Sequence, residues 1–427
     1  MKDWHKALKI IPGGNSLFSK RPFLYHSKWP THFISAKNIQ ITDTNNCVYD
    51  DFYFAVGTNV LGYNNKFVNK AVINTINNCN ISTLNNILEL NFAKSLSTIH
   101  KKLSMVKFAK TGGEADTIAI RIARAYNKKD QIAFCGYHGW HDWYLSSNLN
   151  NNKNLDNHLK SNLDIKGVPN KLKNLVHPFN YGDSDMLEKI LKSKKISAVI
   201  MEVAREKMIN VQFLKKVQQL SKKYDALLIF DECTSGFRTS YGGLFSEYNL
   251  NPDIVTFGKA IGNGYPITAI LGKKKVMQKC EESFISSTFW GDAIGFAAGE
   301  ATLKYMRENT TTNLIKKNSE LFKEIWKELS YKYHLPIEIK GTVGIPSFAF
   351  INRDNNICKQ YLTQIFLDNK ILATNMIYLS ILHNKKNIKK YYKNLKSIFN
   401  SISSNTDKNL KNKIKQFKNL KIMKRYN

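Results

Sequence analysis

An acid and a lysine, each at the end of an apolar run, are the residues of this chain best placed to do chemistry. The stretch LLIFDECTSGFRTSYGGLFSEYNLNPDIVTFGK runs from Leu227 to Lys259. Ala226–Phe230 is apolar and ends in Asp231 and Glu232, and Ile254–Phe257 is apolar and ends in Gly258 and Lys259. Runs of this length bounded by polar residues read as buried strands. In an open α/β sheet, ligands bind at the rim where such strands end. Asp231 and Lys259 stand 28 positions apart (259 − 231). An acid and an amine at that rim suit pyridoxal phosphate (PLP). The lysine forms a Schiff base, and the carboxylate keeps the ring nitrogen protonated, so that the ring accepts electrons from a carbanion at the substrate carbon. An apolar run followed by Asp-Glu also serves as a metal-binding acid or as a plain strand end, so this stretch alone leaves those readings open.

Two further stretches add candidates. In Met105–Tyr126, Val106–Ala109 reads as a strand, Thr111-Gly112-Gly113 as a turn, and Glu114 opens a helix whose Ala115, Ile118, Ala119, Ile122, Ala123 and Tyr126 share one face. Strand, glycine turn and helix together form an anion site, because the free N–H groups of the first helical turn point outward and the missing Cβ atoms admit a phosphate. A tight turn with no ligand has the same pattern. Gln131–Cys135 reads as a strand, followed by Gly136-Tyr137-His138-Gly139-Trp140-His141-Asp142-Trp143. Aromatic residues between glycines at a strand end suggest a platform for a ring, with His141 and Trp143 equally readable as packing. Ala198–Met201 is a strand that puts Glu202 at the same rim.

The elements that must position these residues alternate. Strands and helical patterns follow one another from about residue 66 to residue 305, with a helix through Phe213, Val217 and Leu220 before the Asp231 strand and a small-residue helix over Ala293–Tyr305. That alternation predicts an α/β fold with a mostly parallel, doubly covered sheet. After about residue 310 the pattern changes to a helix, strands near Ile337–Lys340 and Ser347–Ile351, and a terminal helix over Lys386–Ile402, an α+β arrangement. The N-terminal 50 residues hold a Pro12-Gly13-Gly14 turn and a hairpin over Asn38–Tyr49. Residues 146–157, SSNLNNNKNLDN, read as a low-complexity, mobile loop, and the basic end Lys408–Asn427 as a segment that frays.

Composition narrows the class. The chain has 427 residues, 43% of them hydrophobic, enough for two or three domains with sizeable cores. No apolar run reaches membrane-spanning length, and the N-terminus lacks a signal-peptide core, so a cytoplasmic protein with no membrane partner is expected. The six cysteines (Cys47, Cys79, Cys135, Cys233, Cys280, Cys358) have no metal-ligand spacing and read as reduced thiols, with no metal site expected. Lys plus Arg is 64 against 33 Asp plus Glu, a net charge of +31. The lysines are spread along the chain, with no aromatic-interleaved basic motif or zinc finger, so no nucleic-acid partner is expected; a positive field that draws in anionic small substrates is the better reading.

Six stretches, in order, resemble the class III aminotransferase family of fold-type-I PLP enzymes, nearest its glutamate-1-semialdehyde 2,1-aminomutase branch: PGGNS, TGGEADTIAIRIARAY, YHGWHDW, LIFDECTSGFR, PDIVTFGKAIGNGYPITA and STFWGDAIGFAAGEAT. The resemblance implies a large PLP-binding domain over 52–305 with a seven-stranded-type sheet, and a smaller α+β domain from 1–51 and 306–427. It implies Lys259 as the Schiff-base lysine and proton carrier, and Asp231 as the partner of the ring nitrogen. Gly112 and Gly113 would hold the phosphate, although the family often has a hydroxyl residue where Gly113 stands. Tyr137 would stack on the ring with His138 beside it, and Glu202 would lie near the cofactor, followed here by Val203 where proline is usual. Thr288 would donate to the phosphate of the neighbouring subunit's cofactor, which implies a homodimer with shared active sites. The implied activity is amino transfer between an amine donor and an aldehyde or ketone acceptor, with intramolecular transfer giving 5-aminolevulinate as the alternative. The departures concern the substrate: Ser19, with Lys20 and Arg21 beside it, stands where the aminomutases carry an arginine, Lys207 replaces a family asparagine, and STFWGDAIG differs from their glycine-threonine-leucine stretch. A non-catalytic basic binding protein on this fold would be expected to have lost Lys259 or Asp231, and both are present.

Overall fold

Polar hairpin chemistry starts the chain's first unit. A computed structural model describes residues 2–161, 163–204 and 208–415, so Lys207 and residues 416–427 lie outside the described residues. Strands β1 (Phe33–Lys37), β2 (Gln40–Asp43) and β3 (Val48–Asp51) form an antiparallel meander. The β2–β3 turn is tied by Asp43, whose Oδ1 accepts the amides of Asn45 at 2.8 Å and Cys47 at 2.9 Å.

The chain separates into two units, Met1–Asn65 with Asn313–Ile422, and one built on Lys66–Thr312. The first boundary therefore follows Asn65, where the sequence suggested 51/52, and the second follows Thr312, where it suggested 305/306. Residues 52–65 stay with the first unit for a local reason. The buried Asp51 carboxylate accepts the amides of Tyr53 at 2.7 Å and Phe54 at 3.0 Å and the Tyr63 hydroxyl at 2.5 Å, and the Phe54 ring stacks on Tyr63.

The Lys66–Thr312 unit carries seven strands: β4 (Met105–Ala109), β5 (Gln131–Cys135), β6 (Val176–Pro178), β7 (Ile196–Glu202), β8 (Leu227–Glu232), β9 (Ile254–Phe257) and β10 (Thr268–Gly272). They form one sheet in the order β4-β10-β9-β8-β7-β5-β6, with β10 antiparallel to both neighbours and the other pairs parallel. β7, β8 and β9 are buried throughout, as continuous apolar runs covered on both faces must be. The Gly112–Asn127 helix buries Ala115, Ile118, Ala119, Ile122 and Ala123, the stripe its spacing predicts. In the first unit, β11 (Ile337–Thr342) and β12 (Ile345–Phe350) make a hairpin, and β13 (Ile371–Leu372) pairs parallel with β3. The Asp407–Lys413 helix is anchored there by Arg353, whose Nε donates to Asp407 at 2.7 Å, so the basic end is ordered as far as that helix.

Residues 146–148 and Leu155 are packed while residues 151–153 are exposed, so the segment is anchored on both sides of its tip, which corrects the expectation of a wholly mobile loop. Ser146, Ser147 and Asn148 are buried, and Leu155 is in the core. The asparagines do the anchoring: Asn148 Oδ1 accepts the Leu155 amide at 2.9 Å, and Asn154 Nδ2 donates to the Ser147 carbonyl at 2.8 Å. Asparagine repeats that look featureless in sequence supply side-chain partners for a backbone without a ladder.

The small-residue helix Ala293–Glu308 packs closely on the Ile87–Ile99 helix. A Cβ on Gly299 would stand 2.5 Å from the ring tip of Phe92, which is fully buried and has no room to yield. Gly299→Val is therefore expected to destabilise the protein by about 1–3 kcal/mol, read as a lower urea midpoint at unchanged slope; an unchanged midpoint would mean that these helices separate without cost.

Candidate active site

Strand register brings the ionisable residues into one row. Asp231, near the end of β8, lies opposite Glu202 of β7 on one side and Thr256 of β9 on the other. Both acids are buried. Lys259 follows β9 after Gly258, and its backbone φ is +44°, in the left-handed region that costs a residue with a side chain about 1–2 kcal/mol. Its Nζ donates to Thr234 Oγ1 at 2.9 Å, just beyond the end of β8. The lysine amine is thus directed toward the β8 rim by a strained backbone residue.

The glycine turn reaches the same place. Thr111 caps the Gly112–Asn127 helix in a reciprocal box: Glu114 Oε2 accepts the Thr111 amide at 2.7 Å, and the Thr111 hydroxyl accepts the Glu114 amide at 3.4 Å. A Cβ on Gly112 would lie 3.4 Å from Cys233 Sγ, and a Cβ on Gly258 would lie 3.4 Å from the same sulfur. The buried thiol of Cys233 therefore sits between the helix N-terminus and the segment that carries Lys259.

The Gly136–His141 segment brings in the aromatic platform. The Tyr137 amide donates to Glu202 Oε2 at 3.0 Å, and the half-buried Tyr137 ring meets Tyr144 edge-on at 6.2 Å. His138 is fully buried, with Nδ1 3.0 Å from Asp231 Oδ2 and Nε2 3.3 Å from the Cys135 carbonyl. An ionised carboxylate only accepts, so Nδ1 carries the hydrogen of that bond. Burial alone would raise the Asp231 pKa; the His138 hydrogen bond and charge, the Cys233 N–H at 2.9 Å and Lys259 outweigh it and hold the carboxyl below the usual range. Asp231 is therefore a buried, permanent anion.

A third acid belongs to this cluster and was not singled out in the sequence. Asp116 Oδ1 accepts the Thr256 hydroxyl at 2.9 Å, and its Oδ2 lies 3.8 Å from His138 Nδ1. Burial first, and then the Asp231 charge, push its pKa well up, which favours its protonated form. A signal for it existed: Asp116 precedes Ala119, Ile120 and Ala123 by three, four and seven positions, which puts an acid on a buried helical face. Ligand atoms of Asp116, His138 and Asp231 lie within 4.8 Å of one another, but the three side chains and Thr256 satisfy each other, and a protonated Asp116 is a poor cation ligand.

Glu232 is turned away from this chemistry. Its Oε2 accepts Ser235 Oγ and the Leu244 amide at 2.9 Å, and its Oε1 accepts the Phe245 amide at 2.7 Å. Burial pushes its pKa up to about 7, against 4.5 in the unfolded chain. The native state therefore binds the proton more readily than the unfolded chain, and the stability this contributes is full below 4.5 and lost as pH rises through about 7. Glu232→Gln is expected to flatten that fall, seen as a smaller drop in urea midpoint from about pH 4.5 to about pH 7.5 than in the parent; parallel profiles would count against a buried, titrating Glu232.

Thr288 stands apart. It opens the exposed turn Thr288–Gly291, and no hydrogen bond joins it to Gly112, Gly113, Asp231 or Lys259 among the described residues. Within one chain, the other candidate residues converge and Thr288 does not.

These residues fit PLP: a helix N-terminus with side-chain-free residues for a phosphate, a buried anion for a protonated ring nitrogen, and an amine held at the next strand end. Comparisons with known proteins agree. The family model "Aminotransferase class-III" matches residues 26–379. A 3-aminobutyryl-CoA aminotransferase of Cloacimonas acidaminovorans (strain Evry) is 31% identical over 378 residues, covering 86% of this chain and 87% of that protein. A glutamate-1-semialdehyde 2,1-aminomutase of Wigglesworthia glossinidia brevipalpis is 32% identical over 441 residues, covering 96% of this chain and 97% of that protein. Among solved structures, a PLP form of the FumI protein of Sphingopyxis sp. MTA144 superposes with a TM-score of 0.84 at 21% identity, over 94% of this chain and 95% of that one. With the sheet order and the convergence of Asp231 and Lys259, the match along most of the chain establishes that this protein belongs to the class III aminotransferases, PLP-dependent enzymes of fold type I that catalyse amino transfer.

Proposed function

We propose that this chain moves an amino group from an amine donor to a separate aldehyde or ketone acceptor, with Lys259 as the residue that holds PLP and carries the proton. The observation behind this reading is the placement of Lys259 and Asp231 on neighbouring strand ends, with the Gly112 turn joined to both through Cys233. Bound PLP supplies an electron sink for negative charge that develops at the substrate carbon. Asp231 keeps that sink effective by pairing its permanent negative charge with the ring N–H. Gly112 and Gly113 offer backbone N–H groups to the phosphate, and Tyr137 covers the ring face, its backbone fixed by Glu202. The Lys259 amine, when free, would take the proton from the donor carbon. It returns a proton in the reverse sense when the acceptor is aminated.

A homodimer with shared sites is part of this proposal. Thr288 and Phe289 protrude, and Leu84, Ile87 and Phe284 are exposed on the same unit, with Phe284 at 89%. A groove of about 670 Å³ lined by Ala71, Ile87 and Ala301 adds apolar surface. Sedimentation equilibrium is expected to give twice the 49.0 kDa chain mass; a monomer with full activity would remove Thr288 from the site. A cytoplasmic location accords with six cysteines that form no disulfide and with no helix among the described residues long and apolar enough to cross a membrane.

The test is an absorbance titration of the purified protein. Loss of the visible PLP band on adding an amine donor, with release of a carbonyl product, supports transfer between two substrates. Conversion of glutamate-1-semialdehyde to 5-aminolevulinate with no second substrate would replace this reading with the intramolecular one. Absence of a visible band after PLP is added would sink both.

A further inference from the structure

We infer that His141 binds the phosphate of PLP through Nδ1, in the place a side chain at position 113 would otherwise occupy. The inference rests on the reading above that the Gly112–Gly113 turn holds the phosphate. Two observations carry it. First, Nδ1 of His141 is buried and has no hydrogen-bond partner among the described residues. A buried ring nitrogen left without a partner costs about 1–3 kcal/mol, so its usual explanation is a ligand or partner that completes it. The nearest acid on the helix is not that partner, because Glu114 Oε2 is engaged by the amides of Lys110 and Thr111 and Oε1 by the Trp290 indole.

Second, the imidazole fills the space that glycine leaves. A Cβ built on Gly113 would lie 2.9 Å from both Nδ1 and Cε1 of His141. The close approach depends on a second glycine: Gly139 has a φ of +101°, and a Cβ there would stand 2.9 Å from the Cα of Gly113. The two glycines let the Gly136–His141 segment lie directly on the first turn of the helix. Trp140 stacks on the outer face of the His141 ring, with centroids 4.6 Å apart, and limits its rotation. A short hydroxyl side chain on the helix is thereby exchanged for an imidazole reaching in from the neighbouring loop, with its nitrogen beside the Gly113 position of the first helical turn.

The test separates the phosphate from the rest of the cofactor. Apo-protein prepared from the holoenzyme is titrated with PLP and with pyridoxal, which lacks the phosphate. His141→Ala, and His141→Phe as a ring-preserving variant, are expected to weaken PLP binding about tenfold while changing pyridoxal binding by less than about twofold. Gly113→Thr alone crowds the imidazole and weakens PLP binding, whereas Gly113→Thr with His141→Ala regains most of it, because the hydroxyl resumes the contact. Equal weakening of both ligands would make His141 a packing residue and overturn the inference, as would unchanged PLP binding in His141→Phe. Failure of the parent protein to bind PLP more tightly than pyridoxal would instead remove the phosphate reading of the glycine turn itself.

Discussion

Lys259→Ala is expected to abolish turnover, with a loss of at least about 10⁴-fold, while PLP is still bound without a covalent link. Two roles are lost together. In the proposed reading the amine is the nucleophile that ties down the cofactor and also the base that carries the proton at the donor carbon. Cys233 is buried, with its thiol pushed well up by burial and the Asp231 charge, and Asp231 is itself committed to His138 and the Cys233 amide. Neither can take over a proton transfer. The strained backbone at position 259 is common to lysine and alanine, so the substitution removes the amine without adding a new conformational cost. Lys259→Arg would not restore the function, because a guanidinium is neither a nucleophile nor a base near neutral pH. Measurement of product over hours at high enzyme concentration checks this, with the PLP absorbance recorded alongside. Robust turnover by the alanine variant would place the chemistry on another residue.

Asp231→Ala is expected to lower activity about 10²–10³-fold, the usual scale for removing one preorganised electrostatic partner, with PLP absorbance shifted as the ring nitrogen loses its proton. Asp231→Asn separates charge from shape. Its amide keeps the size of the carboxylate and a contact with His138, so a loss close to that of alanine identifies the negative charge as what matters. A much milder loss identifies packing. Removing the anion also removes the charge that raises the Asp116 pKa, so Asp116 in the alanine variant is expected to ionise more readily and supply part of the missing charge. Asp116→Asn in the Asp231→Ala background should therefore lower the residual rate further. Near-native rates in Asp231→Ala would end its assignment to the ring nitrogen.

Much of this arrangement is legible in the chain itself. Mostly apolar runs of four or five residues at β7, β8 and β9 are read correctly because a strand covered on both faces has to be largely apolar. The residues that break those runs fall at the ligand rim: Glu202 and Asp231 are the first ionisable residues of β7 and β8 and lie in the last rungs of their ladders, and Lys259 follows the end of β9. Thr111-Gly112-Gly113-Glu114 announces a helix start, since a capping box fixes the turn, and its glycines let Cys233 and His141 approach the first helical turn closely. The asparagine-rich segment 146–157 misleads because its order comes from side-chain bonds such as Asn148 to Leu155, which have no periodicity.

The sequence by itself determined the family, the sheet strands and the pairing of an acid with a lysine, because all three depend on local pattern and on motif order. Only the tertiary structure decided which residues stand behind them. Asp116 and Asp231 are 115 positions apart (231 − 116) and meet through Thr256 and His138 only because the glycine-turn helix lies across the ends of β8 and β9. The meeting of His141 with Gly113, and of Cys233 with both Gly112 and Gly258, is likewise a matter of close approach between segments. Both carboxyls are buried in that shared space, where the His138 hydrogen bond and charge, the Cys233 amide and Lys259 lower the pKa of Asp231 while burial and the Asp231 charge raise that of Asp116, a division that two identical side chains cannot announce in sequence.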